Sequence, residues 1–198
     1  IFGSILANEL LLAIPFFTFM GAILEKCGLA EDMLDSMGQL FGPLRGGLGY
    51  SVILVGFILG AITGTVAAQV IAMALISLPV MMRYKYNMKY ATGVLAASGT
   101  ITQLVPPSLV LVVLADQLGT SVGDMYLGAW GPSILQVVMF CLFTFAVSIV
   151  KPEWVPAVPR EDRTLRGWAL VRKCLWGIIP AGVLIFLVLV LLQVLLLL

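Results

Sequence analysis

The chain has 198 residues, of which 11 are basic and 10 acidic, so only 11% are charged and the net charge is +1. Apolar residues make up 61% and the mean hydropathy is +1.12. Soluble domains carry about 25% charged residues, so a water-soluble fold is excluded, and the near-neutral balance gives no basis for a nucleic-acid partner.

No histidine occurs, which removes the commonest general base and metal ligand. Cys27, Cys141 and Cys174 have no paired spacing, so zinc, c-type haem and a disulfide framework are unsupported. An intramembrane protease would need Ser/His, paired Asp or a His/Glu zinc site, and the chain is not expected to be an enzyme or to carry a cofactor. Residues 10–24, 46–82, 90–115, 125–150 and 174–198 contain no charge at all, 129 residues together. Uncharged apolar runs of about 18 residues or more read as membrane-spanning helices. The expected class is an all-α integral membrane protein. A start at Ile1, inside an apolar stretch and without a cleavable leader, reads as part of a longer chain.

In chain order, residues 1–24 read as the end of a span entering from outside, with Pro15 inside it. Residues 25–45 place Leu29, Met33, Leu34, Met37, Leu40, Phe41 and Leu44 on one helical stripe, with Glu31, Asp32, Asp35 and Gln39 off it. That pattern predicts an amphipathic helix in the cytoplasmic interface; a solvated connector whose stripe merely packs is the alternative. Residues 46–82 would make a straight helix of roughly 55 Å, too long for a hydrocarbon core of about 30 Å, yet they are too few for two full spans and a turn. Gly60-Ala61-Ile62-Thr63-Gly64-Thr65 breaks their middle. A re-entrant hairpin entering along 46–59 and returning along 66–82 is the expected solution, with two short tilted spans as the alternative. Residues 90–116 carry Ser98-Gly99-Thr100-Ile101-Thr102-Gln103-Leu104-Val105-Pro106-Pro107-Ser108 at their centre. Consecutive prolines remove helix donors and push Val105 out of helical geometry. Two half-helices, 90–98 and 108–116, joined by an unwound segment are expected; a proline kink with lipid-facing hydroxyls is the alternative. Residues 125–150 read as a full span, 151–173 as an interfacial linker and 174–198 as a further span. Lys and Arg mark cytoplasmic loops. They concentrate in 83–89 and 151–173, whereas 116–124 holds Asp116 and Asp124 and no basic residue, so the first two are expected inside and the third outside.

A hairpin tip and a broken helix at the membrane midplane form the arrangement from which secondary transporters build substrate and ion sites. Thr63, Gly64 and Thr65 of the tip can face Gly99 and Thr100 of the break, an oxygen-only set suited to a hard cation. Apart from Asp116 at the outer end of the second half-helix, neither discontinuous element holds an Asp or Glu, as a coupling proton would require, so Na⁺ is the expected coupling ion.

Leu12-Ala13-Ile14-Pro15-Phe16-Phe17, Met20-Gly21, Gly28-Leu29-Ala30, Arg45-Gly46-Gly47, Ala91-Thr92-Gly93 and Ala97-Ser98-Gly99-Thr100 occur in order. Pro106-Pro107-Ser108 and Asp116-Gln117-Leu118-Gly119-Thr120-Ser121-Val122 follow. Over residues 10–182 this series resembles the large membrane subunit of tripartite ATP-independent periplasmic (TRAP) transporters, the DctM-like family. The resemblance implies a multi-pass protein of the bacterial or archaeal inner membrane. It implies the first inverted repeat of an elevator-type secondary transporter, and Na⁺-coupled import of C4-dicarboxylates, sialic acid or related carboxylates. It further implies a small membrane subunit and a periplasmic substrate-binding protein as partners, a sodium site at Thr63, Gly64, Thr65, Gly99 and Thr100, and substrate contacts from Ser98, Thr102, Gln103, Pro106, Pro107 and Ser108. The family continues past Ile179-Pro180 into a second repeat, whereas this chain runs on in Leu and Val. The polypeptide alone is therefore not expected to transport. A symporter that needs no binding protein and a non-transporting membrane subunit are the rival readings.

Overall fold

The computed structural model describes residues 29–63, 66–106 and 108–159, with single positions toward either end. The readings of 1–24, of 160–173 and of 174–198 as continuous segments lie outside the described residues. Among those described, every regular element is helical. They are α1 (Leu29–Phe41), α2 (Gly47–Thr63), α3 (Val66–Arg83), α4 (Met88–Thr100), α5 (Leu109–Leu118) and α6 (Val122–Val150), with 3₁₀ turns at Ile101–Gln103 and Pro152–Trp154.

By length and composition, α3 and α6 are apolar and long enough to cross a membrane. The outer face of α6 agrees: Leu127 and Val150 are each 74% exposed and Phe143 is 60% exposed. Apolar surface on that scale is stable against lipid rather than water. Within the unit, Val52, Ile53 and Val55 of α2, Met73 and Met81 of α3, Ala91 and Leu95 of α4, and Ile101 form one core, with Met33 of α1 against it. Leu111, Val112 and Ala115 of α5 pack on Val122, Tyr126 and Ala129 of α6 as a second, smaller core.

The helix ends follow local chemistry. Asn87 caps α4, its Oδ1 accepting from Lys89 N–H at 2.9 Å. Gly119 closes α5 at φ +64°, a left-handed position that costs glycine nothing. The amphipathic stripe of α1 is buried at Met33, Leu34 and Met37, while Leu40 and Leu44 are 39% and 53% exposed. The buried half of the stripe packs on the bundle.

Three connecting segments meet at one end. Gly46 N–H donates to Val155 O, Asn87 N–H to Trp154 O and Val158 N–H to Gly42 O, each at 3.0 Å. Ser148 Oγ also reaches Arg45 O at 3.4 Å. The start of α2, the end of α3 and the segment after α6 are thereby joined. Arg45, Arg83, Lys85, Lys89 and Lys151 gather around that junction, and the α5–α6 turn with Asp116 and Asp124 lies at the opposite end of α6. Tyr86 is buried at the basic end, and burial pushes its phenol pKa up, so it stays neutral at physiological pH.

Helices α2 and α3 leave from and return to this basic end as antiparallel neighbours. Their 17 and 18 residues correspond to roughly 25–27 Å each. The helical part of α2 runs through Gly60 to Thr63, further than the expected arm of 46–59, because tertiary packing on α4 compensates its glycines. The first half-helix of the break likewise continues to Thr100 and then tightens into the 3₁₀ turn. The second starts at Leu109, with Ser108 as its cap.

Candidate functional site at the helix break

Helices α2 and α4 run parallel and touch through small residues. A Cβ added at Gly56 would lie 2.9 Å from Ser98 Cβ, and one at Gly60 would lie 3.0 Å from Thr102 Cα. Gly56 and Gly60 are four apart, as are Ser98 and Thr102, so two small-residue ridges mesh at close backbone approach. Gly99 faces α3 instead: a Cβ there would collide with Val70 Cγ2 and lie 3.6 Å from Val66 O. The last turn of α4 is therefore wedged between the two arms of the hairpin, beside the first turn of α3.

The hydroxyls at the break are committed as donors. Ser98 Oγ donates to Leu95 O at 2.8 Å and Thr100 Oγ1 to Ala97 O at 2.7 Å. Thr102 Oγ1 donates to Gln69 Oε1 in a short hydrogen bond, and Gln69 Nε2 donates to Gly56 O at 2.6 Å. Each hydroxyl has one proton, so what remains on these oxygens is lone pairs.

Helix α6 supports the unwound segment from its far side. Tyr126 OH reaches Ser108 O at 3.4 Å, Ser133 Oγ shares its one proton between Leu104 O at 2.9 Å and Ala129 O at 2.7 Å, and Gln136 Nε2 donates to Thr100 Oγ1 at 3.2 Å. Ser108 Oγ donates to Gln103 O at 2.6 Å and accepts from Leu111 N–H at 3.5 Å. Irregular backbone inside a membrane protein is stable only where such partners satisfy it. Ser133 and Gln136 lie near the middle of the 29 residues of α6, so the break sits halfway along the longest helix. Because Thr100 spends its proton on Ala97 O, Gln136 must present its N–H to Thr100. That leaves Gln136 Oε1 with no hydrogen-bond partner among the described residues. Gln136 lines a groove of about 610 Å³ together with Gly93, Ala97, Leu104, Met139 and Phe140.

The sequence-derived candidates thus divide. Gly99 lies beside the first turn of α3, and Ser98 and Thr102 are fully buried against α2. Thr100 is exposed and directed toward α6, away from the hairpin. Gln103 is exposed, Pro106 is buried and Ser108 acts as a helix cap. Thr63 ends α2, but its side chain, together with Gly64, Thr65 and Pro107, lies outside the described residues. Sequence reasoning did not single out Gln69, Tyr126, Ser133 or Gln136. Gln69 and Gln136 carried a usable signal as amides in otherwise uncharged apolar runs.

Two sets of helix ends converge around these residues. α2 and α4 bring their C-terminal, carbonyl-bearing ends to the break, and α3 and α5 bring N-terminal ends. The first pair carries partial negative charge and the second partial positive charge.

Residues 2–196 match the family described as "Tripartite ATP-independent periplasmic transporter, DctM component". Among curated proteins the chain is 35% identical to the C4-dicarboxylate TRAP transporter large permease protein DctM of Pseudomonas aeruginosa, over 85% of this chain and 39% of that protein. It is 31% identical to the 2,3-diketo-L-gulonate TRAP transporter large permease protein YiaN of Escherichia coli, over 64% of this chain and 30% of that protein. It is 29% identical to the sialic acid TRAP transporter large permease protein SiaM of Vibrio cholerae, over 79% of this chain and 36% of that protein. The chain therefore spans well under half the length of these relatives.

Proposed function

The chain belongs to the DctM component family of tripartite ATP-independent periplasmic transporters, and from that premise we propose that it forms the first repeat of a Na⁺-coupled importer of organic acids in the inner membrane. The α2–α3 pair is the re-entrant hairpin of this reading, and α4–α5 is the discontinuous span. The observation that supports the ion is the donor–acceptor balance at the break: Ser98 and Thr102, buried against α2, both spend their protons within the protein. Their lone pairs join the carbonyl-bearing ends of α2 and α4 in favouring a hard cation without a carboxylate. The N-terminal ends of α3 and α5 and the exposed amide of Gln103 supply donors for a substrate carboxylate nearby.

In the complete transporter this half works with a second repeat, a small membrane subunit and a periplasmic binding protein that delivers the acid. The hairpin and the break move together as one elevator unit, because their seam leaves no room for sliding. The test is uptake of a C4-dicarboxylate by the full-length permease and its partner subunits in proteoliposomes. Uptake is expected to require both an inward Na⁺ gradient and the binding protein. Thr65→Ala is expected to raise the half-saturating Na⁺ concentration. Equal uptake with K⁺ in place of Na⁺ overturns the coupling, and uptake without a binding protein favours a stand-alone symporter.

A further inference from the structure

Gln69 lies in α3, one turn beyond the hairpin tip, and is only 1% exposed. Its hydrogen bonds join α2 to the 3₁₀ turn of the break, through Gly56 O and Thr102 Oγ1. Burying an amide among apolar helices is unfavourable unless its polar atoms are bonded. A Leu or Met would fill similar space with no such requirement. Gly56 O already lies within the hydrogen-bond ladder of α2, so helix formation does not need the amide's N–H. What the amide adds over an apolar side chain is direction: it sets the register of three chain segments and the orientation of one hydroxyl.

We propose that Gln69 is a positioning residue for the ion site, holding the hairpin arm and the break in the register that presents acceptor oxygens to a cation. This inference rests on the sodium reading above. While Gln69 Oε1 takes the Thr102 proton, the lone pairs of Thr102 Oγ1 point away from Gln69. Without that acceptor the hydroxyl turns onto the backbone of its own helix, as Ser98 and Thr100 already do. At the same time Gly56 loses its lateral tie to α3. Size is not the determinant, because Gly56 and Gly60 fix the approach of α2 to α4 by themselves.

The test measures melting temperature of the purified full-length permease in NaCl and in KCl at matched ionic strength. A ligand that binds only the folded state raises the melting temperature according to its affinity. The unaltered protein is expected to melt higher in NaCl. Gln69→Met is expected to lose most of that Na⁺-specific rise while keeping its melting temperature in KCl. In transport, Gln69→Met is expected to raise the half-saturating Na⁺ concentration about five- to tenfold, the equivalent of one directed hydrogen bond, with little change in maximal rate. Thr102→Val reproduces the effect, Thr102→Ser retains the Na⁺ response, and the Gln69→Met/Thr102→Val pair is no worse than either single variant. A Gln69→Met protein that melts lower in KCl yet keeps the full Na⁺-specific rise makes Gln69 a packing residue and overturns the proposal. An unaltered permease with no Na⁺ preference overturns the sodium reading itself, and the positioning role with it.

Discussion

Gly93 and Gly99 lie on the same helix in opposite surroundings. Nothing stands within 4 Å of a Cβ added at Gly93, whereas one at Gly99 would collide with Val70. Gly99→Ala is therefore expected to cost about 1–3 kcal/mol through overpacking, and Gly93→Ala to stay within about 0.5 kcal/mol of the parent. Unfolding of both variants in detergent checks the difference; equal costs would mean that the wedge between the hairpin arms is not tight. Gln136 poses a different residue-scale demand, because its Oε1 is left without a donor among the described residues beside a largely apolar groove. A buried acceptor of that kind costs about 1–3 kcal/mol when unpaired.

At the scale of elements, the chain crosses between ends in a definite order, and labelling can read it. A cysteine at Lys85 sits at the basic junction, and one at Thr120 sits in the turn between α5 and α6. In intact cells carrying the full-length permease, with the native cysteines replaced, a membrane-impermeant maleimide is expected to label Thr120→Cys and to spare Lys85→Cys. The reverse pattern would invert the orientation drawn from the basic loops. Much of this element order was legible in the sequence. Gly60–Thr65 and Ser98–Ser108 interrupt uncharged runs with residues that disfavour helix, and α2 and α4 end within these two interruptions. Their boundaries were less legible: α2 and α4 persist past the interrupting glycines because each supplies the other's close packing surface. The direction of side chains was not legible at all. Helices that are apolar on every face have no periodicity to separate the side of Ser98 from that of Thr100, and Gln69 looks like any lone amide until Gly56 and Thr102 are brought to it.

For the molecule as a whole, the junction of three connecting segments decides how the unit behaves. Gly46 and Asn87 donate backbone N–H groups to the segment after α6, Val158 of that segment donates to Gly42 O before α2, and Val155 at their centre is fully buried. Loop amides at a membrane surface ordinarily exchange quickly with water. These three are expected to exchange slowly, alongside the core helices, because opening any one requires the segments to separate. Hydrogen-exchange mass spectrometry on the full-length permease in detergent checks this, and exchange within seconds would show that the segments are only loosely apposed. A firm junction at one end and a meshed small-residue seam at the break leave few places where α2, α3 and α4 can shift independently.

The bond between Gln69 and Thr102 spans 33 residues of sequence. During synthesis the two uncharged arms therefore leave the ribosome before the residue that completes their polar contact has been made. Until α4 follows, the glycine face of α2 has no ridge to mesh with and Gln69 lacks its hydroxyl partner. The hairpin is thus an element whose final seat is supplied by sequence translated after it.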